Sequence, residues 1–124
     1  MIENELTGEI IGAAIEVHRN LGPGLLESIY EECMVHELVE RDLFVNRQLE
    51  LPVKYKGKSL SATYRIDLLV NDKVIVELKT VQRIEPVHEA QLLTYLKLAK
   101  KRYGLLMNFN VPVMKRGIRR LLNG

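Results

Sequence analysis

The sequence has a single cysteine, Cys33, and no apolar stretch long enough to cross a membrane. One cysteine cannot form a disulfide within the chain or supply a zinc site built from thiolates, and a small buried side chain is its simplest role. A membrane span requires roughly 18 to 20 apolar residues. The first five residues contain two acids and no base, whereas a signal peptide begins with basic residues. We therefore expect a cytoplasmic protein without a membrane partner.

Internal repeats and low-complexity segments are also absent. With 47% hydrophobic and 27% charged residues, the composition is that of a globular protein, neither disordered nor fibrous. A chain of 124 residues is long enough to bury a hydrophobic core without disulfides or metals to support it. We expect one domain over residues 1–124.

Acidic residues are missing from segment 90–124, which carries 8 basic side chains. Residues 1–50 have the opposite bias, with 11 acids and 3 bases, so the net charge of +2 conceals a gradient along the chain. The gradient is compatible with a nucleic-acid partner or with self-association, although a solvated helix face is the simpler explanation of charge alone. The basic residues are Lys97, Lys100, Lys101, Arg102, Lys115, Arg116, Arg119 and Arg120.

Hydrophobic periodicity predicts two helices at the start of the chain, over about 6–20 and 25–41, separated by glycines and a proline in 21–24. The remaining elements are strands over 49–55, 60–70 and 73–80, a helix over 87–101, a strand over 103–109 and a short helix over 115–122. Pro52 lacks a backbone donor, which indicates an edge or bulged position. The order α-α-β-β-β-α-β-α predicts an α/β fold in which helices flank a mixed sheet.

The strand predicted over 73–80 is apolar except for an acid and a base, Glu77 and Lys79. Side chains two residues apart on a strand point to the same face, so these two charges lie together. Burial of both groups would require ion pairing or a metal. An exposed strand face with a cross-strand ion pair is the simpler explanation of the Glu-x-Lys pattern taken alone.

The preceding strand places a second acid, Asp67, ten residues before Glu77. A two-residue loop at 71–72 would put the two acids on opposite faces, whereas a three-residue loop over 71–73 or a β-bulge would bring them together. Paired carboxylates suit a divalent cation such as Mg²⁺, which also binds substrate phosphate. Because a lysine beside such an ion can hold the attacking water or stabilise charge on the phosphate, the pattern fits metal-assisted hydrolysis of a phosphodiester.

Asp67 followed by Glu77-Leu78-Lys79 resembles the PD-(D/E)XK nuclease superfamily. More specifically, segment 24–30 (GLLESIY) is similar to the signature of the small bacterial and archaeal GxxExxY proteins of that superfamily. The resemblance continues through YRIDLLV, VIVELK, HEAQLLTYL and GLLMNF, although Ile66 stands where the superfamily name has a proline. It implies a restriction-endonuclease-like fold and a nuclease that depends on Mg²⁺ or Mn²⁺ and acts on nucleic acid, with DNA as the expected substrate.

The resemblance also implies roles for the residues around the metal ion. Asp67 and Glu77 would bind the ion, with the backbone carbonyl of Leu78 as a further ligand, and Lys79 would orient the attacking water. Glu27 corresponds to a helical acid that many members of the superfamily place beside the metal. Glu27 also has a structural explanation, because a carboxylate in the first turn of a helix interacts favourably with the helix dipole.

Gln91 and Tyr95 fit a Gln-x-x-x-Tyr element that occurs in a subset of these nucleases. Their spacing places them on one face of a helix, together with His88, which would contact a phosphate. Tyr95 is equally explained as a packing residue with a satisfied hydroxyl group. The basic residues of segment 90–124 would bind the nucleic-acid backbone.

The same fold also serves non-catalytic proteins that bind nucleic acid or take part in assemblies, and fold alone does not establish function. Degenerate members commonly lose the lysine or an acid, whereas this sequence retains all the residues implied in catalysis. A third possibility is a protein-interaction partner held by the acidic N-terminal half. Because the chain offers little beyond a catalytic core, we expect specificity to come from a homodimer, from a protein partner, or from the ends and structure of the DNA.

Overall fold

The computed structural model describes residues 1–124 as three α-helices, one short 3-10 helix and five β-strands. The helices are α1 (Glu3–Leu21), α2 (Glu27–Glu40) and α3 (Pro86–Ala99). The strands are β1 (Val45–Tyr55), β2 (Lys58–Val70), β3 (Val74–Lys79), β4 (Tyr103–Asn108) and β5 (Ile118–Leu122), and the 3-10 helix spans Met114–Gly117. No helix combines the length and the hydropathy that a bilayer crossing requires.

The five strands form one mixed sheet in chain order, with β1 and β5 at its edges. Only β3 and β4 are parallel, because α3 crosses over between them, while the other neighbouring strands are antiparallel. Helices α1 and α2 cover one face of the sheet, and α3 covers the other. The predicted α/β fold, a mixed sheet flanked by helices, is confirmed.

Successive residues of β3 contribute to apolar clusters on opposite faces of the sheet. Val74, Val76 and Leu78 pack against α1 and α2, whereas Ile75 packs against α3. A strand that is buried on both faces must be apolar throughout, which explains the nearly continuous hydrophobic run in this segment. Glu77 and Lys79 share the face of Ile75, the face that α3 covers.

The C-terminal segment differs from the prediction. Residues 115–122, which we expected to be helical, form the end of the 3-10 helix and then β5, which pairs with β4 from Met107↔Ile118 to Tyr103↔Leu122. Five residues are too few for helical and strand periodicity to be distinguished in a sequence. The unpaired edge of β4 offers hydrogen bonds that a strand can use and a helix cannot, so the tertiary context decides the structure.

The connection between β2 and β3 contains three residues, 71–73, which confirms the three-residue alternative. Val70 pairs with Val74, and the N–H of Lys73 donates to the carbonyl of Val70 at 3.0 Å. Asn71 and Asp72 have φ angles of 51° and 56°. Two successive left-handed residues suit the twist of a hairpin, and both residue types tolerate this conformation. The register that follows puts Asp67 opposite Glu77.

β1 and β2 extend beyond the other strands as a long hairpin. Its end, residues 52–63, which we call the arm, is exposed at every position except Val53. The hairpin closes with a two-residue turn at 56–57, and its register shifts between Pro52 and Lys54. Pro52 therefore occupies both an edge strand and the start of an irregularity, as its missing donor predicted.

Candidate active site

Two carboxylates meet where β2 and β3 stop pairing. The ladder between these strands ends at Leu68↔Val76, and the next residues, Asp67 and Glu77, place their side chains in the gap. Glu77 Oε2 accepts a hydrogen bond from the backbone N–H of Asp67 at 2.8 Å. Asp67 Oδ2 accepts one from the backbone N–H of Leu78, also at 2.8 Å. Each carboxylate thus binds the backbone of the opposite strand, which fixes both side chains.

Burial gives this pair unusual electrostatics. Glu77 is only 5% exposed, and burial, together with the charge of Asp67, raises the pKa of Glu77 to about 8. Burial also raises the pKa of Asp67, and the charges of Glu31 and Glu27 add to the shift. Neither carboxylate forms a salt bridge. A pair of this kind favours either a retained proton or a bound cation.

Lys79 lies on β3 two residues after Glu77, and its charge lowers the pKa of that acid. Its side chain is partly buried and makes no salt bridge. The backbone of Lys79 is held by pairing with Asn108, and its carbonyl accepts a hydrogen bond from the N–H of Phe109 at 2.9 Å. A rigid strand end therefore carries an unpaired ammonium group beside the two acids.

Two acids of α2 lie near the pair. Glu27 is the first residue of the helix and is exposed, whereas Glu31, one turn later, is only 7% exposed. The charges of both acids raise the pKa of Asp67, and the charge of Glu27 also raises that of Glu77. The structure thus brings Glu27 towards the strand carboxylates and adds Glu31, which the sequence prediction omitted.

Tyr30 holds the loop from which α2 begins. Its hydroxyl group donates to the carbonyl of Gly22 at 2.6 Å and accepts a hydrogen bond from the N–H of Leu25 at 3.2 Å. Its ring is fully buried and stacks on that of Phe109, with centroids 4.4 Å apart. The tyrosine of the GxxExxY segment therefore fixes the start of the helix and, with it, the position of Glu27.

β1 supplies two side chains that hold Glu31. Arg47 Nε donates to Glu31 Oε2 at 2.7 Å, and the amide of Gln48 donates to Glu31 Oε1. The same amide nitrogen of Gln48 lies 3.3 Å from Asp67 Oδ1. Gln48 thus links the buried acid of α2 to the acid of β2.

Gln48 adopts an unusual backbone conformation for a strand residue. Its φ angle is 53°, and it has no partner in the ladder, although both of its neighbours pair with β2. Left-handed residues other than glycine are strained by roughly 1 to 3 kcal/mol and persist only where the surrounding structure enforces them. Here the interruption in pairing allows the Gln48 side chain to reach the two acids.

The sequence prediction omitted both Glu31 and Gln48, and the sequence contains a signal for Glu31 only. Glu31 follows Glu27 by four positions and therefore shares its helix face, so helical spacing could have identified it. Gln48 carried no such signal, because nothing in the residue type distinguishes a left-handed glutamine from a regular strand residue. Its conformation results from contacts with α2 and β2.

α3 packs on the face of the sheet that carries Glu77 and Lys79. Burial and the negative charge of Glu77 raise the pKa of Tyr95 to about 12, and an interaction with Gln91 partly offsets the shift. The ring of Tyr64, on β2, packs against Tyr95 with centroids 5.2 Å apart. Gln91 and Tyr95 thus lie together on one face of α3, as their helical spacing predicted, and Tyr95 lies near Glu77.

His88 takes part in the start of α3. Its Nδ1 accepts a hydrogen bond from the backbone N–H of Glu85 at 2.8 Å. In the neutral ring, Nε2 therefore carries the proton. His88 has a structural contact through one nitrogen, and the other remains able to donate to a phosphate.

The basic residues of segment 90–124 are spread over several parts of the surface. Lys101 forms an ion pair with Asp72 at 3.0 Å, so the basic loop between α3 and β4 lies at the end of β3 that is remote from Glu77. Arg119 lies closer to Glu77 than this loop does, because Arg119 pairs with Leu106, which in turn pairs with Glu77. Two strand spacings separate Arg119 from Glu77, or roughly 10 Å. The basic residues outside these two places are Lys97 on α3, Lys115 and Arg116 in the 3-10 helix, and Arg120 on β5.

The donor types at the site fit a hard divalent cation, which prefers oxygen ligands. Asp67 and Glu77 each use one carboxylate oxygen for the backbone; the second oxygen of Glu77 makes no hydrogen bond, and that of Asp67 accepts only the long one from Gln48. No three acids of this site lie within 4.8 Å of one another, and the group with that spacing is His36, Glu37 and Glu40 on the outer part of α2. Coordination by a third carboxylate would therefore require Glu27 or Glu31 of α2 to move closer to the two strand acids.

Comparison with protein-family models identifies the family of the chain. The chain matches the family model of the PD-(D/E)XK nuclease superfamily over residues 4–121. No curated protein shows significant similarity to the sequence. Among solved structures, the crystal structure of SSO0001 aligns with 15% identity over 96% of this chain and 78% of that chain, with a TM-score of 0.48. Because the family match spans nearly the whole chain and includes every candidate site residue, the protein belongs to the PD-(D/E)XK nuclease superfamily.

Proposed function

We propose that the protein is a metal-dependent nuclease that hydrolyses phosphodiester bonds in nucleic acid. Membership of the superfamily suggests nuclease activity in general. The observation that carries the proposal is the reciprocal contact of Asp67 and Glu77, which holds a buried and a half-buried carboxylate side by side near an unpaired lysine. Burying two acids together is unfavourable unless a cation or a proton compensates them, and a protein that only binds nucleic acid has no need of that arrangement.

Asp67 and Glu77 are the proposed metal ligands, with the backbone carbonyl of Leu78 and the carboxylate of Glu27 as further ligands. A bound Mg²⁺ or Mn²⁺ would supply Lewis acidity and neutralise negative charge on the phosphate. Lys79 orients the attacking water through its ammonium group and stabilises the negative charge that develops on the phosphate oxygens. The rigid end of β3 supports this role, because a group held in place does not have to reorganise during the reaction.

Gln91, Tyr95 and His88 are proposed to contact the substrate from α3. With a pKa of about 12, the Tyr95 hydroxyl group stays protonated at neutral pH and can donate a hydrogen bond. His88 Nε2 can donate to a phosphate while Nδ1 maintains the helix start. These three groups would position the phosphodiester against the acids of the strands.

We also propose that the protein belongs to the GxxExxY group within the superfamily. The contacts of Tyr30 support this assignment, because they give the final residue of the motif a physical role in holding Glu27. Double-stranded DNA is the substrate we propose, with a homodimer or a protein partner supplying specificity. The basic residues Lys97, Lys100, Lys101, Arg102, Lys115, Arg116, Arg119 and Arg120 would contribute contacts to the nucleic-acid backbone.

Cleavage of labelled single- and double-stranded DNA and RNA in Mg²⁺ or Mn²⁺ tests the proposal. Lys79→Ala is the inactive variant, and Lys73→Ala is a matched control, since Lys73 is exposed in the loop just before the same strand. We expect cleavage by the wild type and by Lys73→Ala and none by Lys79→Ala. Binding of nucleic acid without cleavage under every condition would instead favour a binding module. Equal cleavage by all three proteins would contradict the role proposed for Lys79, unless the activity separates from the protein on gel filtration and so belongs to a contaminating nuclease.

A further inference from the structure

The charged residues of the arm are all basic. Lys54, Lys56 and Lys58 surround its tip, and the sequence contains no acid between Glu50 and Asp67. All three lysines are exposed, and none forms a salt bridge. The arm thus presents three unpaired cations in a chain whose net charge is only +2.

The arm also lacks a packing partner within the chain. Tyr55 and Leu60 are apolar or aromatic side chains on the arm, and they are 63% and 45% exposed. Lys56 has a φ angle of 48° in the turn, at a position that favours asparagine or glycine. Two-stranded hairpins without support are marginally stable in water. An exposed hairpin that keeps a lysine at an unfavourable turn position indicates that this charge has a use.

β2 connects the arm directly to the candidate active site. Lys58 lies nine residues from Asp67 along this strand, which corresponds to at most about 30 Å. The irregularity between Pro52 and Lys54 bends the hairpin, so the true span is shorter. One turn of duplex DNA extends roughly 34 Å. A duplex with a phosphate at the carboxylates can therefore meet the arm within about one helical turn.

We propose that the arm binds the sugar-phosphate backbone of duplex DNA to one side of the bond that is cut. The proposal rests on the proposed nuclease function and describes how that site would hold its substrate. Exposed lysines recognise phosphates as point charges, so the arm would add affinity without reading sequence. A second copy of the chain is the other conceivable occupant of this surface. Contact between two arms would place their lysines together, and like charges in that position repel.

Fluorescence anisotropy with a labelled 24-base-pair duplex tests the proposal over a range of salt concentrations. All proteins carry Asp67→Asn so that cleavage does not interfere. Lys54→Ala/Lys56→Ala/Lys58→Ala removes the three charges, and the corresponding triple arginine variant is the matched control that keeps them. Because each phosphate contact contributes about 0.9 to the slope of log K against log salt, we expect the alanine variant to lose about 2.7 from that slope. The arginine variant should retain the parent slope.

Duplex length provides the second part of the test. On a duplex of about six base pairs, too short to contact the carboxylates and the arm at once, the slopes of the parent and the alanine variant should differ by less than on the 24-base-pair duplex. Equal slopes for these two proteins on the long duplex, or no measurable binding by the parent, would overturn the proposal. A change of oligomeric state on sedimentation, with unchanged DNA slopes, would also overturn it by assigning the arm to contact between copies.

Cleavage is measured separately with proteins that retain Asp67. A reduced slope for the alanine variant, together with no cleavage of any substrate, would support the arm as a DNA-binding surface and contradict the nuclease function. Cleavage with unchanged slopes would support the nuclease and overturn the proposal for the arm. Failure of the nuclease function and failure of the arm proposal therefore give different results.

Discussion

The carboxylate of Glu77 accepts a hydrogen bond from the backbone N–H of Asp67, across two strands that have stopped pairing. The position of one acid thus depends on the backbone of the other. Because the contact exists only in one register, the three-residue connection over 71–73 determines whether the two carboxylates meet. The register of the β2–β3 hairpin therefore sets the geometry of the site. Single substitutions that preserve this register test the role of one side chain at a time.

Lys79→Ala should abolish turnover while leaving metal binding intact. Lys79 forms no salt bridge and donates no ligand oxygen, so its loss removes a charge-stabilising group while the hydrogen bonds that position the two acids remain. Removing a group of this kind typically lowers the rate by at least about a hundredfold. Turnover in Mg²⁺ and the affinity for Mn²⁺ by calorimetry check the prediction. Unchanged turnover, with Lys73→Ala as control, would contradict the role given to Lys79.

Asp67→Asn should weaken both metal binding and turnover while the protein stays folded. The amide oxygen of asparagine can still accept the hydrogen bond from the N–H of Leu78, so the contact across the gap is retained. The negative charge is lost, and with it most of the attraction for a cation. Calorimetry with Mn²⁺ and thermal unfolding measure the two effects. Wild-type metal affinity in this variant would exclude Asp67 as a ligand.

The metal-free protein should lose stability as the pH rises from about 4.5 towards about 8. Folding raises the pKa of Glu77 from 4.5 to about 8, so the folded state keeps a proton that the unfolded state releases over this range. The stabilisation is complete below pH 4.5 and is lost as the pH passes through the pKa in the folded protein. Thermal unfolding in EDTA at pH 6 and pH 8.5 measures the loss.

Glu77→Gln provides the control for this pH dependence. An uncharged side chain has no proton to lose, so the variant should show a smaller decrease in melting temperature between the two pH values than the wild type. Mn²⁺ should bind the wild type more tightly at the higher pH, because the carboxylate must lose its proton to act as a ligand. Identical pH profiles for the two proteins would argue against a retained proton at Glu77.

Gln48→Asn should lower activity without lowering stability. Asparagine tolerates a positive φ better than glutamine, but its shorter side chain cannot link Glu31 to Asp67. Groups that orient metal ligands typically affect activity or metal affinity by about 10- to 100-fold. Melting temperature and the metal dependence of cleavage separate the two effects. A variant with full activity would assign Gln48 a role in the fold alone.

Tyr30→Phe should destabilise the protein by about 1 to 3 kcal/mol, because two backbone groups lose their partner. The loop before α2 would loosen, and Glu27 with it, so metal affinity should fall as well. Chemical denaturation measures the first effect and calorimetry the second. Tyr55→Phe, on the exposed arm, is the matched control and should change neither quantity.

Most of the fold could be predicted because apolar periodicity identified α1, α2, α3 and the buried strands. The loop between β2 and β3 remained ambiguous in the sequence, since Asn71 and Asp72 also suit a two-residue turn. Packing of the core selects the three-residue loop. Val74 and Val76 must face the same core as Leu68 and Val70, which requires an odd number of residues in the loop.

The candidate site was predictable where residues share an element and less so where elements meet. Glu77 and Lys79 lie two apart on one strand, and Gln91 and Tyr95 lie four apart on one helix, so local spacing brought them together in each case. The link from Glu31 through Gln48 to Asp67 joins a helix and two strands. No local pattern encodes a contact of that kind.

The free edge of β1 has a consequence for the behaviour of the protein at high concentration. An exposed strand of 11 residues could recruit the same strand of another molecule and start the growth of an aggregate. Gln48 turns the backbone away from the regular strand conformation, and Pro52 offers no N–H, so no regular stretch between these points exceeds three residues. The edge of β1 is thereby divided into segments that are too short to form a stable ladder with another strand. The two irregularities that shape the site and the arm thus also hinder the pairing of this edge of the sheet with another molecule.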